Sequence, residues 1–416
     1  MTCPGSNAVT HKILMLNDGR AWQNWGLQAT SEALLQLISS TGQSIEFRHL
    51  DHSYMHRRYL RDPKRYGGKK IWAGEGKIRS ALFPPFHLLP GTADEFHHVA
   101  TQWLAGKGGR GADEFMAQAT NADAVIFNAE GSVYRDTNIG AIKGLFMLWF
   151  AKQHLGIPAF FVNGSVTLTQ VDAVLPGMVR KVFTAIDFIS LREPASYANV
   201  TDYYPELAEK LTLIPDAVFA LTLNSPPSPN TPVSAPHYCA LSLSMLPSDF
   251  RKSREKSALV YLLSELKKAV PHIVLLGKDR EDQILAEIAS ITNSDFIGAS
   301  HDYRTVLSVL EQAKFFVSGR YHNAIFSTLV GCPVIPLHTT SQKIIGLSEL
   351  FHGLMPRPVD PTDLWLTHKS VLKSARNILA QGEPLRQRYK ARAAELHRDT
   401  ANLTAAIWGV LGISSE

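Results

Sequence analysis

The sequence predicts an α/β protein made of two doubly wound parallel-sheet domains that face each other across a cleft, and three observations predict it. The chain has 416 residues, more than one ordinary hydrophobic core accommodates. Short, continuous apolar runs alternate with helix-period segments in both halves, the rhythm of parallel strands covered on both faces. Between the halves lies "NSPPSPNTPVSAP" (224–236), five prolines with no apolar periodicity, which reads as a linker.

In chain order, the strand-like runs of the first half are "KILMLN", "SIEFRHL", "AVIFNA", "AFFVNG", "DFISLR" and "LTLIPD". Those of the second are "YCALSLS", "HIVLLG", "SDFIG", "KFFVSG" and "PVIPL". Each half is therefore expected to be a Rossmann-like domain, residues 1–223 and 237–367, with no internal sequence repeat. From about 368 the chain turns helical, and this tail to 416 is expected to pack back on the first domain. Residues 51–120 break the alternation with "RRYLRDPKRYGGKK" (57–70), "FPPFHLLPG" and "GKGGRG", and read as a partly helical insertion over the first domain.

A hydrophobic fraction of 45% with 19% charged residues belongs to the soluble globular class. The formal charge of +5 gives no reason to expect nucleic acid as a partner. Locally, 57–70 holds seven Lys or Arg against one Asp, a patch suited to peripheral contact with a membrane or an anionic acceptor. Cys3, Cys239 and Cys332 are scattered and odd in number, which fits a reducing compartment and offers neither a disulfide framework nor a metal knuckle. The N-terminus lacks an apolar secretory core, and "GLFMLWFA" (144–151) is too short to cross a bilayer. The expectation is a cytoplasmic protein, in contact at most with the inner face of a membrane.

Ligands of doubly wound sheets bind beyond the carboxyl ends of the strands, and here nearly every run ends in polar residues. These are Asn17 and Asp18, Glu130, Asn163 and Ser165, Arg192 and Glu193, and Asp216 in the first domain. In the second they are Ser244, Lys278, Arg320, His322 and His338. In "VSGRYHNAIFSTLVGCPVIPL" (317–337), Ser318 and Gly319 form a corner that places Arg320 and His322 in the first turn of a helix. Helix N-termini attract anions, and Arg320 adds a bidentate fork for an oxyanion. The same dipole favours neutral His322 until an anion arrives, which suits acid–base work. Asp216 serves equally well as a cap for the next turn, and Lys278 and His338 read as structural or rim residues.

Other motifs carry less. "GKGGRG" (106–111) matches GxGxxG but follows the helical "EFHHVATQWLA" instead of a strand, so it lacks the context for dinucleotide binding. His49, Asp51, His52 and His56 fit no standard metal spacing and read as a polar loop. No metal and no cofactor is expected.

Several blocks, in order and spacing, resemble the polysaccharide pyruvyl transferase family: "NWGLQATSEALLQLI" (24–38), "VIFNAEGSVYRD" (125–136), "FISLREPAS" (188–196), "IPDAVFAL" (214–221) and, most specifically, 300–347. The resemblance implies a GT-B-like fold and transfer of the enolpyruvyl unit of phosphoenolpyruvate to two hydroxyls of one sugar in a surface polysaccharide or its lipid-linked precursor. By position, it implies that Arg320 and Lys343 contact the donor's phosphate or carboxylate, beside Ser318 and Gly319. His322 is then the general acid or base and Arg192 a second anion clamp. Asn24, with the strand-end residues Asn17, Asp18, Asn163, Ser165 and Asp216, falls on the acceptor side or in the cleft.

One position departs from the family: Glu130 stands in "NAEGS" where the family has a glycine-rich turn. A carboxylate there suits a base for a sugar hydroxyl, or the nucleophile or acid of a sugar transferase. The alternative expectation is thus a GT-B-type glycosyltransferase using a nucleotide sugar, such as a CMP-linked ulosonic acid. A non-enzymatic sugar- or phosphate-sensing protein on the same scaffold is a third.

Overall fold

Every strand-like run named above contains a strand in the computed structural model, which describes residues 9–60, 83–221, 233, 235–243, 253–277, 283–339 and 341–413. The first half begins with β1 (Thr10–Asp18), α1 (Trp25–Ser39), β2 (Ser44–Asp51), α2 (His52–His56), α3 (Phe96–Leu104) and α4 (Arg110–Ala119). It continues with β3 (Ala124–Asn128), α5 (Ile139–His154), β4 (Ala159–Gly164), α6 (Leu175–Ala185), β5 (Phe188–Leu191), α7 (Pro194–Tyr203) and β6 (Leu211–Leu213). The second half holds β7 (Tyr238–Ser242), α8 (Ser253–Lys267), β8 (His272–Leu276), α9 (Gln283–Thr292), β9 (Asp295–Ile297) and α10 (Tyr303–Gln312). Then come β10 (Phe316–Ser318), α11 (Tyr321–Leu329), β11 (Val334–Pro336), α12 (Lys343–Leu350) and the long α13 (Leu364–Val410).

The strands form two sheets, in the orders β2-β1-β3-β4-β5-β6 and β11-β10-β7-β8-β9, and every pair is parallel. In each sheet the strand order reverses once, between β1 and β3 and between β7 and β10. Connections on either side of such a reversal leave in opposite directions and open a crevice at the carboxyl edge. The fold therefore places two crevices, and they face each other.

Strand composition explains the layering. In β1, Ile13 packs with Trp25, Ala29 and Phe219, while its neighbour Leu14 packs on the opposite face with Phe127, Phe146 and Trp149. Both faces are covered, so the apolar run has no polar alternation. The first layer continues into the second sheet's core through Tyr303 and Phe326. Across the lobes, Trp25 Nε1 donates to His301 O at 2.7 Å and Tyr303 Oη to Glu32 at 2.8 Å.

Helix α13 is two helices joined at Gly382, whose φ of 53° breaks the ladder just before Pro384. Its second part touches the first lobe, with Thr404 Oγ1 donating to Leu37 O at 3.2 Å and Trp408 edge-on to His11. The linker 224–236 and the basic stretch 57–70 lie largely outside the described residues. In the described part of 51–120, α3 and α4 cover the first sheet, and Lys143 of α5 donates to the carbonyls of Tyr54 and Arg57. Among the described residues no helix is long and apolar enough to cross a membrane.

Candidate active site

A cleft of about 630 Å³ lies between the two carboxyl edges, lined from both lobes. Four helices begin on it: α1 and α5, whose N-caps Asn24 and Asn138 each accept two backbone N–H bonds, and α11 and α12, which open at Arg320 and Lys343. Each follows a strand of a parallel sheet, so its positive end necessarily points to this edge. Four such ends and three cationic side chains make the cleft a site for anions.

Arg192 is the central residue. It is 1% exposed at the end of β5, and Nη1 donates to Asp216 at 2.6 Å while Nε donates to Ser165 Oγ at 2.8 Å. The ring of Tyr321, from the other lobe, stacks on its guanidinium at 4.4 Å. Asp216 is fully buried, which opposes its ionisation. The charges of Arg192 and then His322 outweigh that burial and hold its carboxyl down at about 2. Asp216 also caps the turn Ala217–Ala220 through Val218 N at 2.9 Å, so the capping and the site readings both hold geometrically.

His322, in the first turn of α11, crosses to the first lobe. Its Nε2 lies 3.2 Å from Thr30 Oγ1, 3.3 Å from Arg192 Nη1 and 3.6 Å from Asp216. The Thr30 hydroxyl donates to Gly26 O at 2.7 Å, so Nε2 of His322 sits between a hydroxyl oxygen that can accept and a guanidinium that can only donate. Nδ1 sits on Gly26 so closely that a Cβ there would lie 2.1 Å away. Asp216, Arg192 and Thr30 together fix the ring's orientation.

Lys343 makes the second crossing. Its Nζ donates to Gly131 O at 3.4 Å, and a Cβ on Gly131 would come within 1.9 Å of Nζ and 3.4 Å of Arg192 Nη2. Arg320 is the residue before the helix, with extended φ and ψ of −86° and 114°, and not part of its first turn as the sequence predicts. Its Nε donates to Leu243 O at 2.7 Å, across the β7–β10 crevice, and its backbone N to Ser318 Oγ at 2.9 Å. Glu130 also lines the cleft, at a φ of 45°, and accepts from Asn128 Nδ2 at 3.4 Å.

The structure thus brings Asn17, Asn24, Glu130, Arg192, Gly319, Arg320, His322 and Lys343 to one cleft. Ser165 and Asp216 stand directly behind Arg192, and Ser318 behind Arg320. Two predicted residues face elsewhere. Asp18 is engaged by Arg20 at 2.8 Å and His49 at 3.3 Å. Asn163 is spent on the backbone, its Oδ1 accepting from Ala217 N at 2.9 Å. Glu193 is buried against Gly346, and burial keeps its carboxyl above the ordinary range despite Arg192. His338 lines the cleft, while Ser244 and Lys278 lie outside the described residues.

Sequence reasoning missed Gly26, Thr30, Gly131 and Tyr321, which shape or orient the polar groups. It also set aside His52 and His56, whose i, i+4 spacing places both on the cleft wall. Among the described residues no group of three or more His, Cys, Asp or Glu could hold a metal.

Comparison with known proteins adds a family and a fold. The sequence pattern that defines polysaccharide pyruvyl transferases matches residues 28–340. No curated protein sequence matches. Among solved structures, S. aureus MnaA in complex with UDP is similar at 12% identity and a TM-score of 0.56, over 98% of both chains. A putative UDP-N-acetylglucosamine 2-epimerase from Listeria monocytogenes gives 11% and 0.58, over 96% of both. The UDP-GlcNAc 2-epimerase from Neisseria meningitidis bound to UDP-GlcNAc gives 10% and 0.53, over 96% of this chain and all of that one. At these identities the likeness is one of fold: two Rossmann-like domains in a GT-B-like pair.

Proposed function

This chain belongs to the polysaccharide pyruvyl transferase family, and from that premise we propose that it ketalises one sugar of a surface glycan, or of its lipid-linked precursor, with phosphoenolpyruvate. The observation that carries the reading is the convergence of Arg192, Arg320, Lys343 and His322 from both lobes on a single cleft. Phosphoenolpyruvate presents two anionic groups on three carbons, and a site for it needs several cations close together.

The chemistry assigns the groups. Protonation of the methylene carbon of the donor leaves an oxocarbenium-like carbon, which a first sugar hydroxyl attacks with loss of its proton. The carbon–oxygen bond to phosphate then breaks and a second hydroxyl closes the ketal, releasing its own proton. Of the two hydroxyl protons, one balances that delivered to carbon and the other leaves with phosphate. The imidazole of His322 delivers and recovers a proton, with Asp216, Arg192 and Thr30 holding its Nε2 inward. Lys343 and Arg320 offset the charge gathering on the leaving phosphate, and Arg192 holds the carboxylate end through Nη2.

A second reading rests on Glu130. A carboxylate beside the anion site repels a doubly anionic donor unless it faces the acceptor, whereas it suits hydroxyl activation in transfer from a nucleotide sugar. Of the solved structures similar in fold, S. aureus MnaA is in complex with UDP and the N. meningitidis epimerase is bound to UDP-GlcNAc. Incubation with phosphoenolpyruvate and a panel of synthetic and lipid-linked glycans separates the two. Phosphate release with a pyruvyl ketal in the product supports the first. Thermal stabilisation by CMP or UDP nucleotides, with none by phosphoenolpyruvate, removes it in favour of the second.

A further inference from the structure

Part of the first-lobe wall of the cleft carries side chains that differ in kind from the cations Arg192, Arg320 and Lys343. Trp22, His52 and His56 all line it, Trp22 with 46% of its surface exposed. Their rings follow one another, with centroids 5.2 Å apart from Trp22 to His52 and 4.3 Å from His52 to His56. The strip is held rigidly. Trp22 N donates to Gly19 O at 3.0 Å, and Asn24 N to Trp22 O at 2.8 Å. Asp51 caps α2 through Tyr54 N at 2.7 Å, and Lys143 fastens the far end of α2 through the carbonyls of Tyr54 and Arg57.

The hydrogen bonds also set the tautomer of His52. Asn17 donates through Nδ2 to Asn128 O at 2.8 Å, which turns its Oδ1 towards Nδ1 of His52, also at 2.8 Å. Nδ1 must therefore carry the proton. Nε2 is left as a lone-pair acceptor with no protein partner among the described residues.

We propose that Trp22, His52 and His56 form the acceptor subsite, on which a neutral pyranose rests its C–H face against the rings while one hydroxyl donates to Nε2 of His52. The assignment rests on the transferase reading above and extends it to the sugar. Aromatic faces take the apolar side of a ring without demanding charge, and an unsatisfied acceptor in a cleft selects a donor such as a hydroxyl. The anionic donor is drawn instead to Arg192, Arg320 and Lys343.

The test uses the full-length protein, Trp22→Ala and His52→Asn, on a microarray of neutral oligosaccharides with and without phosphoenolpyruvate. Asparagine retains a donor towards Asn17 and removes the ring's second nitrogen. Each variant is expected to lose at least tenfold in saccharide affinity while binding phosphoenolpyruvate like wild type by calorimetry. Wild-type saccharide binding retained by both variants overturns the subsite, and so does absence of saccharide binding in the wild type. Should phosphoenolpyruvate fail to bind anywhere while saccharide binding still depends on Trp22 and His52, the pyruvyl reading falls and the subsite stands.

Discussion

The two rims of the cleft present polar groups by opposite means. On the first-lobe rim, β1, β3 and β4 each have a non-glycine residue at positive φ within two residues of their carboxyl ends: Asn17 at 70°, Glu130 at 45° and Asn163 at 56°. Each such conformation costs on the order of 1–3 kcal/mol and persists only where its surroundings determine it. Asn128 does so here: its carbonyl accepts from Asn17, its Oδ1 from Asn163, and its Nδ2 donates to Glu130. The turn after β10 has no residue at positive φ, and the second lobe instead places Arg320, His322 and Lys343 at helix N-termini. From there His322 and Lys343 reach over to Thr30 and Gly131. The first rim is a strained, preset template, and the second supplies charge that reaches it by side-chain length alone. Substitutions at the points of meeting test that division.

Arg192 carries the largest expected effect, because it belongs to the template yet faces the charge. Arg192→Met leaves Asp216 ionised and fully buried with only His322 beside it. An uncompensated buried charge costs about 3–5 kcal/mol, readable as a lowered urea midpoint with unchanged slope. Adding Asp216→Asn should restore much of the midpoint and none of the activity. A midpoint like that of wild type in the single variant would show that Arg192 does not bind the template together.

Next is the crossing at His322. Gly26→Ala leaves every polar group in place but puts a methyl where Nδ1 now lies, so the imidazole must swing away. Its kcat should fall about 10²–10⁴-fold, as for His322→Ala, with little change in stability. Full activity in Gly26→Ala would mean that the seen ring position is not the working one.

These two predictions also mark what the sequence discloses. All eleven described strands follow from apolar runs bounded by polar or glycine residues, and in the central ones burial on both faces leaves no other pattern. Arg192, Arg320 and His322 were legible because a strand's carboxyl end in a parallel sheet is a place of known geometry. What escaped was every relation between remote segments. Gly26 looks like an ordinary helical glycine until His322, about three hundred residues on, is laid on it. Asp18 and Asn163 hold the same kind of strand-end position as Asn17, yet one turns to Arg20 and the other to Ala217. His52 and His56 were readable as a helical pair, but only the packing of α2 under Lys143 turns them to the cleft.

A smaller effect distinguishes the rims by acid. Burial first, and then neighbouring charge, holds both His52 and His56 at about 4, below the ordinary value of 6.5. Between these values the unfolded chain binds more protons than the folded one, so stability falls as pH drops from 6.5 to 4. At pH 5 the loss is roughly 1–2 kcal/mol for each ring. Urea midpoints at pH 7.5 and 5.0 should therefore lie closer together in His52→Gln/His56→Gln than in wild type. An equal gap in both proteins would place the acid-sensitive groups elsewhere.

The smallest effect is expected at the other crossing, and its size is informative. Gly131→Ala would bring a methyl within 1.9 Å of Lys343 Nζ, closer than the clash at Gly26. Yet the obstructed atom is the end of a flexible chain of four methylenes, whereas the imidazole can move only by leaving Thr30, Arg192 and Asp216. Lys343 can move its ammonium along the cleft and still serve as a point charge, at the cost of a few-fold in affinity for an anion, or under about 1 kcal/mol. Lys343→Met, which removes the charge outright, should cost at least ten times more in the same titration. Equal losses in the two variants would show that Lys343 works through a fixed geometry. The second rim would then be as preset as the first.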